Sequence, residues 1–226
     1  MLGHTHALTG LAAGAAAATL VLHEPLPSAL TLTVLSAAFA TFPDLDQTCS
    51  SAGRSLGPVS RLAAIVIRRV SGGHRHGTHS VAGVAAFTGL AVLASAFRAD
   101  IAGMAGLALL VALALAAGLR ALRVHPATGD VLALAGAAAV AVAGVGLALV
   151  PLACALGCAV HIAGDALTTE GVPLAWPFTL RRFWLLPHPM RFETGHIAER
   201  WAVAPFTLAV VALLAWHAVS LPGYLA

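Results

Sequence analysis

Charge is what this chain has least of. Only 9% of its 226 residues are charged, against roughly a quarter in soluble domains, too few to clothe a globule in water. With 59% hydrophobic residues and a mean hydropathy of +0.91, the composition excludes a soluble domain and requires an integral membrane protein. Lysine is absent: all 12 basic residues are arginine, and the net charge is +3. That balance fits loops facing the headgroups of membrane lipids, and no nucleic-acid partner is expected. Cysteine is scarce as well. Cys49, Cys154 and Cys158 are odd in number and give no disulfide framework, and Cys154 and Cys158, four apart in an apolar run, read as small packing residues. Basic residues are also missing ahead of the first apolar run, Ala7 to Leu22, where a signal peptide carries its positive charge. The N-terminus is therefore expected to stay uncleaved.

What the chain has in abundance is apolar runs, at about 7–22, 29–42, 81–97, 101–119, 131–150, 152–165 and 202–219. Two approach the roughly 20 residues needed to cross a bilayer core. Others are short; 29–42 is only about 21 Å long as a helix, so it crosses where the bilayer thins or ends in a polar cavity. The expected fold is all-α: a single domain over 1–226, a polytopic membrane bundle of about five to seven apolar helices. Small residues such as Gly10, Ala13 and Gly14 suit close helix packing in lipid. When the runs alternate across the membrane, stretches 43–80, 120–130 and 166–201 share one side and carry every arginine except Arg98. The positive-inside rule makes that side cytoplasmic, with the N-terminus inside a plasma (inner) membrane. Val59 to Val70 alternates arginine with apolar residues and reads as an amphipathic helix in the interface.

Against this background the acids and histidines stand out. His4 and His6 precede the first apolar run, Asp44 and Asp46 follow the second, and His74, His76 and His79 lead into the third. His161 and Asp165 end the sixth, and Glu199 opens the last. A topology set by arginines alone places all of them at one membrane face. His161 and Asp165, four apart, project from one side of a helix. Pro43 favours a chain break, after which an extended Asp44-Leu45-Asp46 presents both carboxylates to one side. Imidazole and carboxylate together suit zinc, manganese or ferrous iron, and ionisable groups beside hydrocarbon mark a functional site. His196, three before Glu199, is a further candidate. His76 reads as a bystander, and His23, His125, His188 and His217 as ordinary loop or outer-side residues.

The same residues carry a family likeness. Pro43-Asp44-Leu45-Asp46, then His74-Arg75-His76-Gly77-Thr78-His79-Ser80, then His161-x-x-x-Asp165 followed by Gly171-Val172-Pro173 and Trp176-Pro177, resemble the YdjM-like family of membrane-bound metal-dependent hydrolases. Glu199 and His6 extend the match over most of the chain. The resemblance implies a hydrolase distantly similar to the zinc phospholipase C and P1 nuclease group. It implies metal ligands at His6, Asp44, His79, His161, Asp165 and Glu199, with His74 and Asp46 close behind. The chain departs at Gln47-Thr48, where the family often has His-Pro.

The resulting expectation is a membrane-bound metal-dependent hydrolase of phosphoester bonds in a lipid or lipid-linked substrate. Its cofactor is two or three divalent ions, zinc first, with manganese or iron as alternatives. Arg75 is the phosphate clamp and Asp46 a supporting carboxylate or base; Arg181 and Arg182 are plain positive-inside charge or headgroup ligands. Two rivals come from other classes. A transporter or channel predicts polar residues staggered through the membrane's depth. A non-catalytic metal-stabilised scaffold predicts a closed ligand set.

Overall fold

The structure is a computed structural model, and it describes residues 1–220. The last six residues of the 1–226 domain lie outside it, and so does the side chain of His217. The described residues form eight helices and no strands: α1 (Gly3–Ala16), α2 (Leu26–Phe39), α3 (Pro58–Val70), α4 (Val81–Ala96), α5 (Ile101–Ala121), α6 (Pro126–Ala143), α7 (Val150–Ala166) and α8 (Ala204–Ser220). Five helical stretches are long and apolar enough to span a membrane: Leu26–Asp46, Ile101–Ala121, Pro126–Ala143, Leu147–Ala166 and Glu199–Trp216; Val81–Ala96 is a shorter apolar helix. The protein is therefore a multi-pass membrane protein. Its outer helix faces carry exposed Leu90 and Leu93, Val131 and Val142, and Phe206 and Trp216, side chains that lipid can cover and water cannot.

One apolar run is redrawn. Run 131–150 is not one helix: α6 starts at Pro126 and stops at Gly144, and α7 follows a short 3-10 turn at Leu147–Leu149. Hydrophobicity continues across the break, but Gly144 and Gly146 sit at φ 68° and 70°, a left-handed conformation that ends a helix regardless of the surrounding apolarity.

α2 is the centre of the bundle, with α1, α5 and α7 packed round it. Two glycines explain how closely. A Cβ on Gly10 of α1 would lie 2.5 Å from the Ser36 carbonyl oxygen, and one on Gly157 of α7 would lie 2.6 Å from the same atom. Both neighbours thus press backbone to backbone against one turn of α2, the packing that small residues permit in lipid. Leu32, Leu35, Phe39, Leu107, Val111 and Val150 fill the core with Cys154 and Cys158, while Cys49 is exposed. α3 lies outside the bundle, exposing Val59, Leu62, Val66 and Val70 beside Arg61, Arg68 and Arg69. A helix with an unburied apolar stripe bordered by arginines belongs in the membrane interface.

Between α7 and α8 the chain makes a long return segment, 167–198. It is held by paired contacts of Val172 with Phe183 and of Thr168 with Phe192. Two backbone bonds fix it to the helix ends: Val81 N–H donates to Leu174 O (3.1 Å) and Leu185 N–H to Ala166 O (2.9 Å).

Candidate metal centre

Four elements end together at one end of the bundle. α1 begins there with His6, α2 runs into a 3-10 turn at Phe42–Asp46, a second 3-10 turn at Gly77–His79 leads into α4, and α7 ends with His161 and Asp165. The Asp44-Leu45-Asp46 segment is not extended as the sequence reading expected. Proline breaks a helix in its interior but fits the first turn of a new one, and Pro43 stands in that position here. The turn therefore separates the two carboxylates. Asp44 faces His79 and His161, and Asp46 points under the 74–78 loop. His4 and His6 also lie within the first turn of α1 and not ahead of it.

His79 Nε2 and His161 Nε2 are 3.2 Å apart. Asp44 Oδ1 is 3.6 Å from the first and 3.9 Å from the second, and Asp165 Oδ2 is 3.6 Å and 3.8 Å from them. The other oxygen of Asp165 lies 3.2 Å from His6 Nε2 and is contacted by the Met1 amine. His6 stacks on His161 with ring centroids 3.7 Å apart. The ligand atoms of Asp44, His79 and His161 lie within 4.8 Å of one another, and so do those of His6, His161 and Asp165.

Proton bookkeeping shows what these atoms face. A neutral imidazole carries one N–H. His161 Nδ1 is 2.7 Å from the Ala40 carbonyl, which can only accept, so that proton is on Nδ1 and Nε2 is bare. The Thr78 hydroxyl gives its single hydrogen to Asp46 Oδ2 at 2.6 Å. It must then accept at 3.0 Å from His79 Nδ1, which leaves His79 Nε2 bare as well. These tautomers are assigned from the hydrogen-bond network. Two nitrogen lone pairs and two carboxylates converge with no proton of their own between them. Asp165 Oδ2 and His6 Nδ1 have no hydrogen-bond partner although fully buried. Buried anionic and lone-pair atoms in such proximity repel unless a cation joins them. Donors held about 2.0–2.1 Å from a tetrahedral zinc ion lie about 3.3 Å apart, close to the separations found. The residues fit a bound metal ion.

Asp46 is equally buried but differently occupied. Its carboxylate takes His74 Nδ1 at 2.7 Å, the Arg75 backbone N–H at 2.9 Å and the Thr78 hydroxyl. It thereby holds the 74–79 loop in place and, through Thr78, fixes the tautomer of His79. Arg75 has a left-handed backbone (φ 55°). That turns its guanidinium inward, with Nη2 3.4 Å from Asp165 Oδ2 and Nη1 4.0 Å from Glu170, while its Nε–H has no partner.

The structure thus brings together His6, Asp44, His79, His161 and Asp165. His74 is one step removed, against Asp46. Glu199 stands apart: its two oxygens accept the backbone N–H groups of Leu2 (2.6 Å) and Gly195 (2.7 Å). His4 points to a separate basin beside Arg120, Arg123 and Arg200. His76 turns back on Gly72, and His196 is exposed. Cys154 and Cys158 belong to neither donor group among the described residues. Sequence reasoning missed Thr78 and the Ala40 carbonyl. Thr78 lies inside the quoted His-Arg-His-Gly-Thr-His-Ser motif, where its position beside His79 was the available signal. A backbone carbonyl leaves no signal at all.

Fold and site together define a polytopic membrane protein whose helix ends enclose a buried His/Asp centre able to hold a metal ion. The profile of one family, described as YdjM inner membrane protein, matches residues 1–223, and the chain belongs to that family. No curated protein and no solved structure matches the chain.

Proposed function

We propose that the protein is a membrane-bound metal-dependent hydrolase that cleaves phosphoester bonds in a lipid or lipid-linked substrate at the cytoplasmic face. The observation that carries this reading is the meeting of two bare imidazole nitrogens, 3.2 Å apart, with Asp44 and Asp165. Asp44, His79 and His161 would hold one divalent ion, and His6 would hold a second. Asp165 could serve either ion, with Oδ2 at 3.6 Å and 3.8 Å from His79 and His161 and Oδ1 at 3.2 Å from His6. Such ions, when bound, lower the pKa of water towards about 7, so that hydroxide is available at neutral pH, and they offset charge on the phosphoester. Zinc suits the mixed nitrogen and oxygen donors, as do manganese and ferrous iron.

The chain's own residues supply the remainder. His74, Arg75 and Asp44 are the partly exposed members of the site, with Asp44 26% and Arg75 18% accessible, so a substrate enters on their side. Arg75 presents an unpartnered Nε–H beside the centre, and its planar fork suits a phosphate oxygen. Asp46, with three donors already bound, acts as a positioning residue for His79 through Thr78. The cytoplasmic assignment rests on the positive-inside rule, since every arginine but Arg98 lies in the stretches 43–80, 120–130 and 166–201.

The direct test is detergent-purified protein assayed with a lipid phosphodiester. It is expected to contain one to three equivalents of metal, to lose activity on chelation and to regain it with zinc or manganese. No metal, together with activity unchanged in His161→Ala, would refute the proposal.

A further inference from the structure

An apolar groove of about 540 Å³ runs between α4 and α7, lined by Val84, Ala85 and Thr88 on one wall and Ala155, Ala159 and Ile162 on the other. Its α7 residues span Ala155 to Ala166, roughly 16 Å at 1.5 Å per residue. That is about half of the ~30 Å hydrocarbon core, the depth of one leaflet. On α7 it lies about a third of a turn round from the face carrying His161 and Asp165. The return segment closes its polar end, where Phe183 and Leu174 line the groove.

Those two residues also line a second pocket, of about 470 Å³, whose other walls include Arg181, Arg182 and Arg191. Among the described residues none of these arginines pairs with a carboxylate. Arg182 and Arg191 are instead aimed by carbonyls, at Gly171 (3.3 Å) and Leu186 (2.9 Å), and Arg191 also lies over the Trp184 ring at 4.2 Å. The Val81–Leu174 and Leu185–Ala166 backbone bonds lock the segment onto the ends of both groove helices. A one-leaflet apolar slot thus abuts a triple-arginine pocket, with Leu174 and Phe183 lining both.

We infer that groove and pocket together hold one anionic lipid, its phosphate-bearing headgroup among Arg181, Arg182 and Arg191 and one apolar chain between α4 and α7. Charge complementarity and the shared Phe183–Leu174 wall favour an anionic amphiphile over a purely apolar protein helix, which would leave the three arginines unpaired. The site stands on these residues alone and does not require the hydrolase reading.

The test is native mass spectrometry of the full-length, delipidated protein offered equal phosphatidylglycerol and phosphatidylcholine. Basic residues at a membrane surface each contribute appreciably to anionic lipid binding, so a preference of about ten-fold or more for phosphatidylglycerol is expected. Arg181→Gln/Arg182→Gln should abolish most of that preference. Arg181→Gln alone, at an exposed position, should remove about half of it and serves if the double variant does not fold. Ala159→Phe, which fills the groove, should weaken both lipids alike. Arg68→Gln/Arg69→Gln removes equal charge from α3 and should leave the preference intact. Equal binding of the two lipids by the unaltered protein would overturn the inference. So would an α3 variant that loses as much preference as the Arg181/Arg182 pair.

Discussion

Two carboxylates in this molecule are fully buried and within 4 Å of His79, yet they are in opposite states. Asp46 has three hydrogen-bond donors on its two oxygens. Asp165 has an oxygen with none, facing two bare imidazole nitrogens and the Arg75 guanidinium at 3.4–3.8 Å. Burial alone therefore does not identify a ligand. A satisfied buried carboxylate organises the loop around it, whereas an unsatisfied one among lone pairs is shaped for a cation. The distinction assigns Asp46 to the support of the centre and Asp165 to its interior.

Substitution should break the two carboxylates differently. The largest effect is expected from Asp165→Asn or His161→Ala, which remove a donor from the centre. Metal content and hydrolysis should both fall to background, while Asp165→Asn, which keeps the side chain's shape, should melt within a few degrees of the metal-free unaltered chain. Retained metal in either variant, measured by plasma emission spectroscopy, would put the donor assignment in error.

Asp46→Asn should act more weakly on metal and more strongly on the fold. The amide cannot accept from all three donors, and hydrogen bonds to a charged acceptor contribute about 1.5–3 kcal/mol each. A loss of about 2–4 kcal/mol is expected, read as a lower denaturant or thermal midpoint in detergent. Metal affinity should fall about 10–100-fold, the usual cost of removing a group that orients a ligand. If Asp46→Asn lost metal as completely as Asp165→Asn, the contrast between the two carboxylates would collapse.

Much of this architecture was legible in the sequence. The arginine count by loop placed Asp44, His79, His161 and Asp165 at one face, and the structure brings each of the two carboxylates within 4 Å of both imidazoles. Charge sorting works because a misplaced arginine costs several kcal/mol in hydrocarbon, so the pattern is imposed along the whole chain. The parts not legible are those set by backbone direction. The 3-10 turn that sends Asp44 and Asp46 to different partners cannot be inferred from an Asp-x-Asp string, which as a strand would aim both the same way. Nor does hydropathy reveal the break at Gly144 and Gly146. Glu199 shows a third limit: its place at the start of the last helix was readable, but not that two backbone amides would occupy it.

Thr78→Val sharpens the comparison at its hinge. The substitution keeps the shape and removes the hydroxyl that both donates to Asp46 and accepts from His79. His79 would then be free to move its proton to Nε2, the nitrogen facing the centre. Metal affinity should drop about ten-fold, with the fold weakened by about 1–2 kcal/mol for a bond lost at each of two buried groups. Thr78→Ser, which restores the hydroxyl, should recover most of the affinity. Equal loss in both variants would mean that methyl packing, and not tautomer control, is what Thr78 provides.

The smallest effect on metal is expected at Glu199. Its carboxylate is a third buried acid at this end of the bundle, and like Asp46 it is occupied: Leu2 and Gly195 each donate a backbone N–H to it. In Glu199→Gln one acceptor oxygen becomes an NH2 group facing a backbone N–H. One hydrogen bond is lost and two donors oppose each other, which costs about 1–3 kcal/mol. That cost should appear as a lower thermal midpoint, because Glu199 ties the start of α1 to the turn that enters α8. The metal stoichiometry should stay at that of the unaltered protein, since both oxygens of Glu199 are held by backbone N–H groups and neither belongs to the His/Asp donor groups. A variant that binds one equivalent fewer would show that this carboxylate releases its backbone partners when metal arrives, and Glu199 would then join Asp165 and leave Asp46 as the only purely supporting acid of the three.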